Sequence, residues 1–180
     1  MARILKNLFK HLLMINIHKF YVCLYCFKAG IFWRGIKHDI SKFHPIEFFE
    51  SIKFYDGKKS PIVNAKNSKG YSLAWQHHKG HNTHHYEYWV DKLDDGGVAI
   101  KMPYKDVIEL VCDYIGAGRA YLKNNFTYES EYDWWLNKLK NEHPKIHKET
   151  ANIITFILFK FKEKNSFYNV FEYAQKVMNY

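Results

Sequence analysis

The stretch YKDVIELVCDYIGAGRAYL, residues Tyr104–Leu122, decides the fold class. Val107, Leu110, Val111 and Tyr114 recur three and four residues apart, the spacing that returns side chains to one face of a helix. Asp106, Glu109 and Asp113 stand at i, i+3 and i+7, so three carboxylates share a stripe of the same helix. On pattern alone, Asp106 is expected at the exposed edge of that stripe. Glu109 is expected either to support a site or to face solvent.

Working outward, the rest of the chain also reads as helix. Ile4, Leu5, Leu8, Leu12, Ile15, Phe20, Val22 and Leu24 follow a helical period as far as Gly30, which places His18 in mid-helix. A short second helix is predicted over Ile31–Ile40. A third opens at Pro45, a residue suited to the first helical turn, and runs to about Tyr55. Residues 56–70, with DGKKSP and NSKG, read as an exposed loop able to cover a site. Tyr71–Leu93 reads as one or two helices, closed by Asp94-Asp95-Gly96-Gly97. Beyond 122 follow a Trp134-Trp135 segment, a helix that Pro144 starts and that continues through Phe161, and a last helix over Phe167–Met178. Alternation of apolar and polar residues is rare. The expectation is an all-α single domain over 1–180 with six to eight helices, 1–122 forming the site core and 123–180 packing on it.

At 180 residues and 47% hydrophobic, the chain can bury a core without disulfides. Cys23, Cys26 and Cys112 are too few for a disulfide framework, and a reducing cytoplasm fits them. Cys23 and Cys26 have CxxC spacing but lie in an apolar helical pattern with no second pair, so they read as core packing. The segment Phe20–Trp33 is interrupted by Lys28 and is shorter than the ~20 residues a membrane span needs. A net charge of +9 favours an anionic partner: a nucleotide, a nucleic acid or a membrane surface. A solvated lysine coat is the plainer alternative.

The chemistry concentrates in histidine. Five of the eleven histidines stand in Trp75-Gln-His77-His78-Lys-Gly-His81-Asn-Thr-His84-His85-Tyr-Glu87. On a continuous helix His78, His81 and His85 would share a face. Converging imidazoles suit zinc, iron, manganese or nickel. A surface patch or hydrogen bonding between helices is the alternative, and the density of histidine favours a metal. A second cluster is His38-Asp39-Ile40-Ser41-Lys42. Neighbours on a helix point about 100° apart, so this pair can serve one ion only at a helix end or beside a deep site. His11 lies on the face of His18 two turns earlier; His44, His143 and His147 read as structural.

In order along the chain, His18, then His38-Asp39, then further histidines, then Asp113, resembles the H…HD…D signature of the HD-domain phosphohydrolase superfamily, over about residues 10–120. Lys42, His78 and His84-His85 are similar to positions of its two-metal, HD-GYP-like members, although the Gly-Tyr-Pro tripeptide is missing, which removes the basis for a cyclic dinucleotide substrate. The run from His38 to Trp89 is also similar to a family of small bacterial and phage proteins of undefined function. The first resemblance implies that His18, His38, Asp39 and Asp113 hold one divalent transition-metal ion (manganese, iron, nickel or zinc). It implies that Asp39 bridges to a second ion on His78, His84 and His85, and that Lys42 meets the phosphoryl oxygens. Hydrolysis of a nucleotide-like phosphomonoester or diester by metal-activated hydroxide is the activity implied.

Glu87 is a candidate to orient an imidazole or to move a proton, and Asn82 to do similar work. Lys79, Asn82, Lys101 and Trp75 are candidates for substrate contact. Lys53, Lys58 and Lys59 could steer anions, and Tyr71 or Trp89 could stack a base. Two other functions fit the composition. A di-iron oxygenase shares the ligand set. A basic nucleic-acid or protein-binding module with a structural metal shares the charge, but a structural zinc saturates at four ligands and this chain offers at least seven.

Overall fold

The computed structural model describes residues 2–57, 59–91, 96–167 and 169–180. Lys58, Leu93 and the Asp94–Asp95 pair lie outside the described residues, as do the side chains of residues 2–6. The protein is all-α. Nine α-helices are present among the described residues: α1 (Ala2–Lys28), α2 (Phe32–Lys37), α3 (Pro45–Phe54), α4 (Pro61–Lys69), α5 (Leu73–His81), α6 (Tyr104–Leu122), α7 (Tyr128–Glu142), α8 (Lys148–Lys164) and α9 (Val170–Met178). One small antiparallel ladder, β1 (Val90–Asp91) with β2 (Val98–Ala99), pairs Val90 with Ala99 and Asp91 with Val98.

Helix α6 is the axis of the molecule. One side lies along α1, and the other meets α7 and α8. Its Leu110, Val111, Cys112 and Ile115 are buried with Val22 and Cys26 of α1, Trp135 of α7, and Ile153, Ile154, Ile157 and Phe161 of α8. Cys26 and Cys112 belong to this core, as the apolar surroundings of the CxxC pair indicated, while Cys23 is half-buried. Phe161 stacks on Phe167 at 4.8 Å, and Phe171 meets both rings edge-on, which seats α9.

Two glycines set the approach of the helices that build the site. A Cβ on Gly116 would stand 2.5 Å from Val22 Cγ2 and 3.1 Å from the Val22 nitrogen, so only glycine admits α1 this close to α6. His18 is one turn before Val22 and Asp113 is three residues before Gly116, so this contact brings these two side chains together. Likewise a Cβ on Gly35 would stand 2.7 Å from Cys26 Cβ, which fixes α2 on α1 just before His38.

Several boundaries differ from the sequence reading. The expected loop at 56–70 contains α4, which starts at Pro61 and stops at Gly70 in the left-handed region. Proline at the first turn and glycine past the last are helix punctuation, hidden here by weak amphipathicity. Helix α2 ends at Lys37 rather than Ile40, because His38 is extended. Pro144 lies in the link before α8, whose cap is His147. The last helix begins at Val170, not Phe167.

Candidate metal centre

Why His38 and Asp39 can face one point follows from the backbone. His38 leaves α2 with φ −50° and ψ 130°, and Asp39 is left-handed with φ 54° and ψ 28°. Aspartate tolerates this region better than most residues, at a cost of about 1–2 kcal/mol. The turn swings two adjacent side chains into the same cavity, and both are 1% exposed.

Two groups of four side chains able to ligate a metal converge there. His18, His38, Asp39 and Asp113 form one; Asp39, His78, His84 and His85 form the other; within each, the ligating atoms lie within 4.8 Å of one another. Asp39 joins them with different oxygens. Oδ2 stands 3.5 Å from His18 Nε2 and 3.2 Å from His38 Nε2, while Oδ1 stands 3.2 Å from His78 Nε2 and 3.4 Å from His84 Nε2. Asp113 Oδ1 is 3.1 Å from His18 Nε2 and 3.3 Å from His38 Nε2.

Whether these residues suit metal ions can be judged from their spacing and their hydrogen bonds. Atoms held at the usual 2.0–2.2 Å from one ion are about 3.0–3.5 Å from each other, which is the spacing found. His18 Nε2, His38 Nε2, His84 Nε2, His85 Nε2 and Asp39 Oδ1 are buried without a hydrogen-bond partner, while Asp39 Oδ2 meets Lys42. They lie close to one another at the two convergence points. Buried polar atoms left so are costly, and a cation at each convergence point would satisfy them. The donor set therefore fits two divalent ions.

The far sides of the rings are anchored by two glutamates. Glu109 Oε1 accepts from His38 Nδ1 at 3.0 Å and from His84 Nδ1 at 3.2 Å, so one carboxylate orients an imidazole of each group. Arg34 Nε donates to Glu109 Oε2 at 2.6 Å, and Arg34 also pairs with Asp106, which accepts from Thr83 Oγ1 at 2.5 Å. Glu47 accepts from His78 Nδ1 at 2.8 Å and His77 Nδ1 at 2.6 Å. Carboxylates behind metal-ligating histidines fix the tautomer and sharpen affinity. Asp106 is thus buried rather than exposed, because Arg34 answers its charge. The sequence reading missed the part of Glu47 altogether. Its signal was weak: a glutamate in the first turn of α3, with no spacing to connect it to His78.

The electrostatics match this anchoring. Burial works against the His38 proton, but Asp39, Asp113 and Glu109 outweigh it and hold its pKa well above the ordinary value. Burial likewise opposes the His78 proton, and Asp39 and Glu47 raise it to about 9. His85 goes the other way: burial first, then His84 and His78, push it well down. Burial favours the neutral acids, yet the surrounding histidines, with Lys42 at Asp39, keep Asp39, Asp113 and Glu109 low. Lys42 Nζ is 2.5 Å from Asp39 Oδ2, and despite burial Asp39 and Asp113 raise its pKa. Its side chain keeps 28% exposure, so the amine reaches from solvent to the Asp39 carboxylate.

The remaining candidates fall elsewhere. His81 ends α5, is exposed, and stacks on His77 at 4.0 Å, so the expected face of His78, His81 and His85 does not form; the chain leaves the helix before His84. Asn82 caps α5, donating to Ser41 Oγ at 2.8 Å and the His78 carbonyl at 2.7 Å. Trp75 meets His85 edge-on at 5.1 Å and forms a wall of the second group. Glu87 is hydrogen-bonded to Tyr86, and burial raises its pKa; among the described residues the glutamates that meet imidazoles are Glu47 and Glu109. Lys101 pairs with Glu149 at 2.6 Å and lies over the Tyr180 ring, beside α8 and the C-terminus. Lys79 is half-buried on α5. Trp89 donates to the Thr83 carbonyl, and Tyr71 is exposed under Lys69. Lys53 lies over the Phe54 ring, and the Lys59 amide donates to Asp56. His11 is buried against Tyr55, and burial, then Lys42, lowers its pKa to about 4. His44 and His147 cap α3 and α8, and His143 is the left-handed residue closing α7.

Fold and site together define an all-α protein with a buried His/Asp/Glu cage able to hold metal. The chain belongs to the family of unknown function DUF5662, whose model matches residues 7–160. No curated protein and no solved structure matches the chain.

Proposed function

We propose that this protein is a binuclear metal-dependent phosphohydrolase of the HD-domain type, acting on a nucleotide-like phosphomonoester or phosphodiester. The observation that carries the reading is Asp39, whose two oxygens face two separate four-ligand groups while Lys42 contacts the same carboxylate. Ions held by His18, His38, Asp39 and Asp113, and by Asp39, His78, His84 and His85, would supply Lewis-acid charge and acidify a water. Glu109 keeps the ligating nitrogens of His38 and His84 aimed inward, and Glu47 that of His78, by holding the opposite N–H of each of these three rings. Lys42 offers a positive group to phosphoryl oxygens. The chain's net charge of +9 favours the approach of an anionic substrate.

The test is elemental analysis of untagged protein beside Asp39→Ala, followed by phosphatase and phosphodiesterase assays with Mn²⁺, Fe²⁺ and Ni²⁺. Two equivalents of transition metal, lost in the variant with the helices intact, together with phosphate-ester turnover, support the proposal. Iron with oxygen-dependent turnover would make it an oxygenase. A chain that no such metal loads would leave it no catalytic reading.

A further inference from the structure

Helix α1 has two apolar faces. Its inner stripe carries His11, Ile15, His18, Val22 and Cys26 into the core and the cage. On the opposite side Phe9, Leu13, Phe20 and Phe27 are 67%, 61%, 65% and 64% exposed. At 100° per residue these four lie within about 40° of each other around the helix, and they extend about 27 Å along it. The stripe continues into α2: Phe27 meets Phe32 edge-on at 5.7 Å, and Phe32 meets Trp33, the most exposed large apolar side chain among the described residues. Scattered exposed apolar side chains are ordinary, but an aligned aromatic row of this length marks an interaction surface.

Charge identifies what would cover it. Residues 1–38 contain seven Lys or Arg and no Asp or Glu, so seven of the nine net positive charges lie there. Lys10, Lys28 and Lys37 are exposed on α1 and α2. In an antiparallel pairing of α1 with a second copy, Lys10 would come against Lys28 of the other chain with no carboxylate on either helix to answer. An anionic bilayer answers the exposed Lys10, Lys28 and Lys37 and takes the aromatic row as well. Beside Phe20, a groove of about 450 Å³ runs between α1 and α6, walled by Ile17, Phe20, Tyr21 and Ala120 with Arg119 and Lys123. Its mixture of apolar wall and basic side chains matches an acyl chain with its phosphate.

We infer that the outer face of α1 and α2 is a peripheral docking surface for anionic phospholipid membranes, with α1 lying in the plane of the interface. No helix among the described residues is long and apolar enough to cross a membrane, so the contact is with the surface. The inference stands whatever the cage binds.

The full chain is mixed with vesicles of phosphatidylcholine alone, or of phosphatidylcholine with phosphatidylglycerol, and the sedimented fraction is measured. Binding is expected only to the anionic vesicles, with a blue shift of tryptophan emission that Trp33→Phe diminishes. The Phe20→Glu/Phe27→Glu variant should bind about tenfold more weakly or worse, and Lys10→Gln/Lys28→Gln roughly tenfold more weakly, with helicity by circular dichroism unchanged. If the phenylalanine variant unfolds, the comparison of vesicle compositions and the lysine variant decide. No binding, or equal binding to both vesicles, overturns the inference. So does a dimer in solution that the phenylalanine variant splits while vesicles go unbound.

Discussion

The two sides of α6 are both buried, yet they are built on opposite principles. Toward α7 and α8, Leu110, Ile115, Trp135, Ile154 and Phe161 exclude water and leave almost nothing ionisable. Toward α1, α2 and α5, the cage gathers Asp39, Asp113, Glu109, His18, His38, His84 and His85, all buried. The apolar side is worth burial energy. The polar side is tolerable only where charges are answered by partners, as Arg34 answers Asp106 and Glu109, or would be answered by cations. One helix with two stripes thus separates stability from chemistry.

Four substitutions would break or sharpen that contrast. Trp135→Ala, on the apolar side, should cost about 3–5 kcal/mol of stability by leaving a cavity. Denaturant unfolding would measure it, while metal content per folded molecule stays the same. Lys42→Met should lower turnover about 10²–10³-fold at unchanged metal content; an unchanged rate would remove Lys42 from the chemistry. Glu109→Gln should weaken metal binding by about 10–100-fold. Because Glu109 holds one ring of each group, titration with a chelator should show both ions affected, and loss of only one would contradict the shared anchoring.

The smallest effect concerns Glu131 of α7, the exception on the apolar side. Its carboxylate lies over Gly118, and burial, then the charge of Asp113, raises its pKa from 4.5 to about 8. Folding between those values therefore requires proton uptake. The cost is absent below about pH 4.5, grows as pH rises, and is complete above about 8. Glu131→Gln should raise stability by roughly 1–2 kcal/mol near pH 8 and change little near pH 4. Thermal melts across that range would reveal an equal gain at both ends if titration were not the cause.

Legibility differed between the two sides as well. Periodicity located α1 and α6 closely, because a helix that buries one face must repeat its apolar residues, and Pro45 located α3. It overlooked α4, whose faces are not segregated, although Pro61 and Gly70 marked its ends. The residues of the two ligand groups were named by their types and order, from the resemblance. The helical reading of His78, His81 and His85 picked the wrong middle member, since it assumed a helix that stops at His81.

By itself, then, the sequence determined an all-α chain, a basic acid-free start and a set of histidines and aspartates suited to metal. Only the tertiary structure decided that Asp39 turns left-handed so that its two oxygens divide between two groups, that Gly116 and Gly35 let α1 and α2 close on the site, and that Glu47 and Glu109 stand behind the rings. The reason is physical. Helical periodicity is a local property written every few residues, whereas the partners of a buried charge come from distant segments, and no spacing in the chain records which will meet.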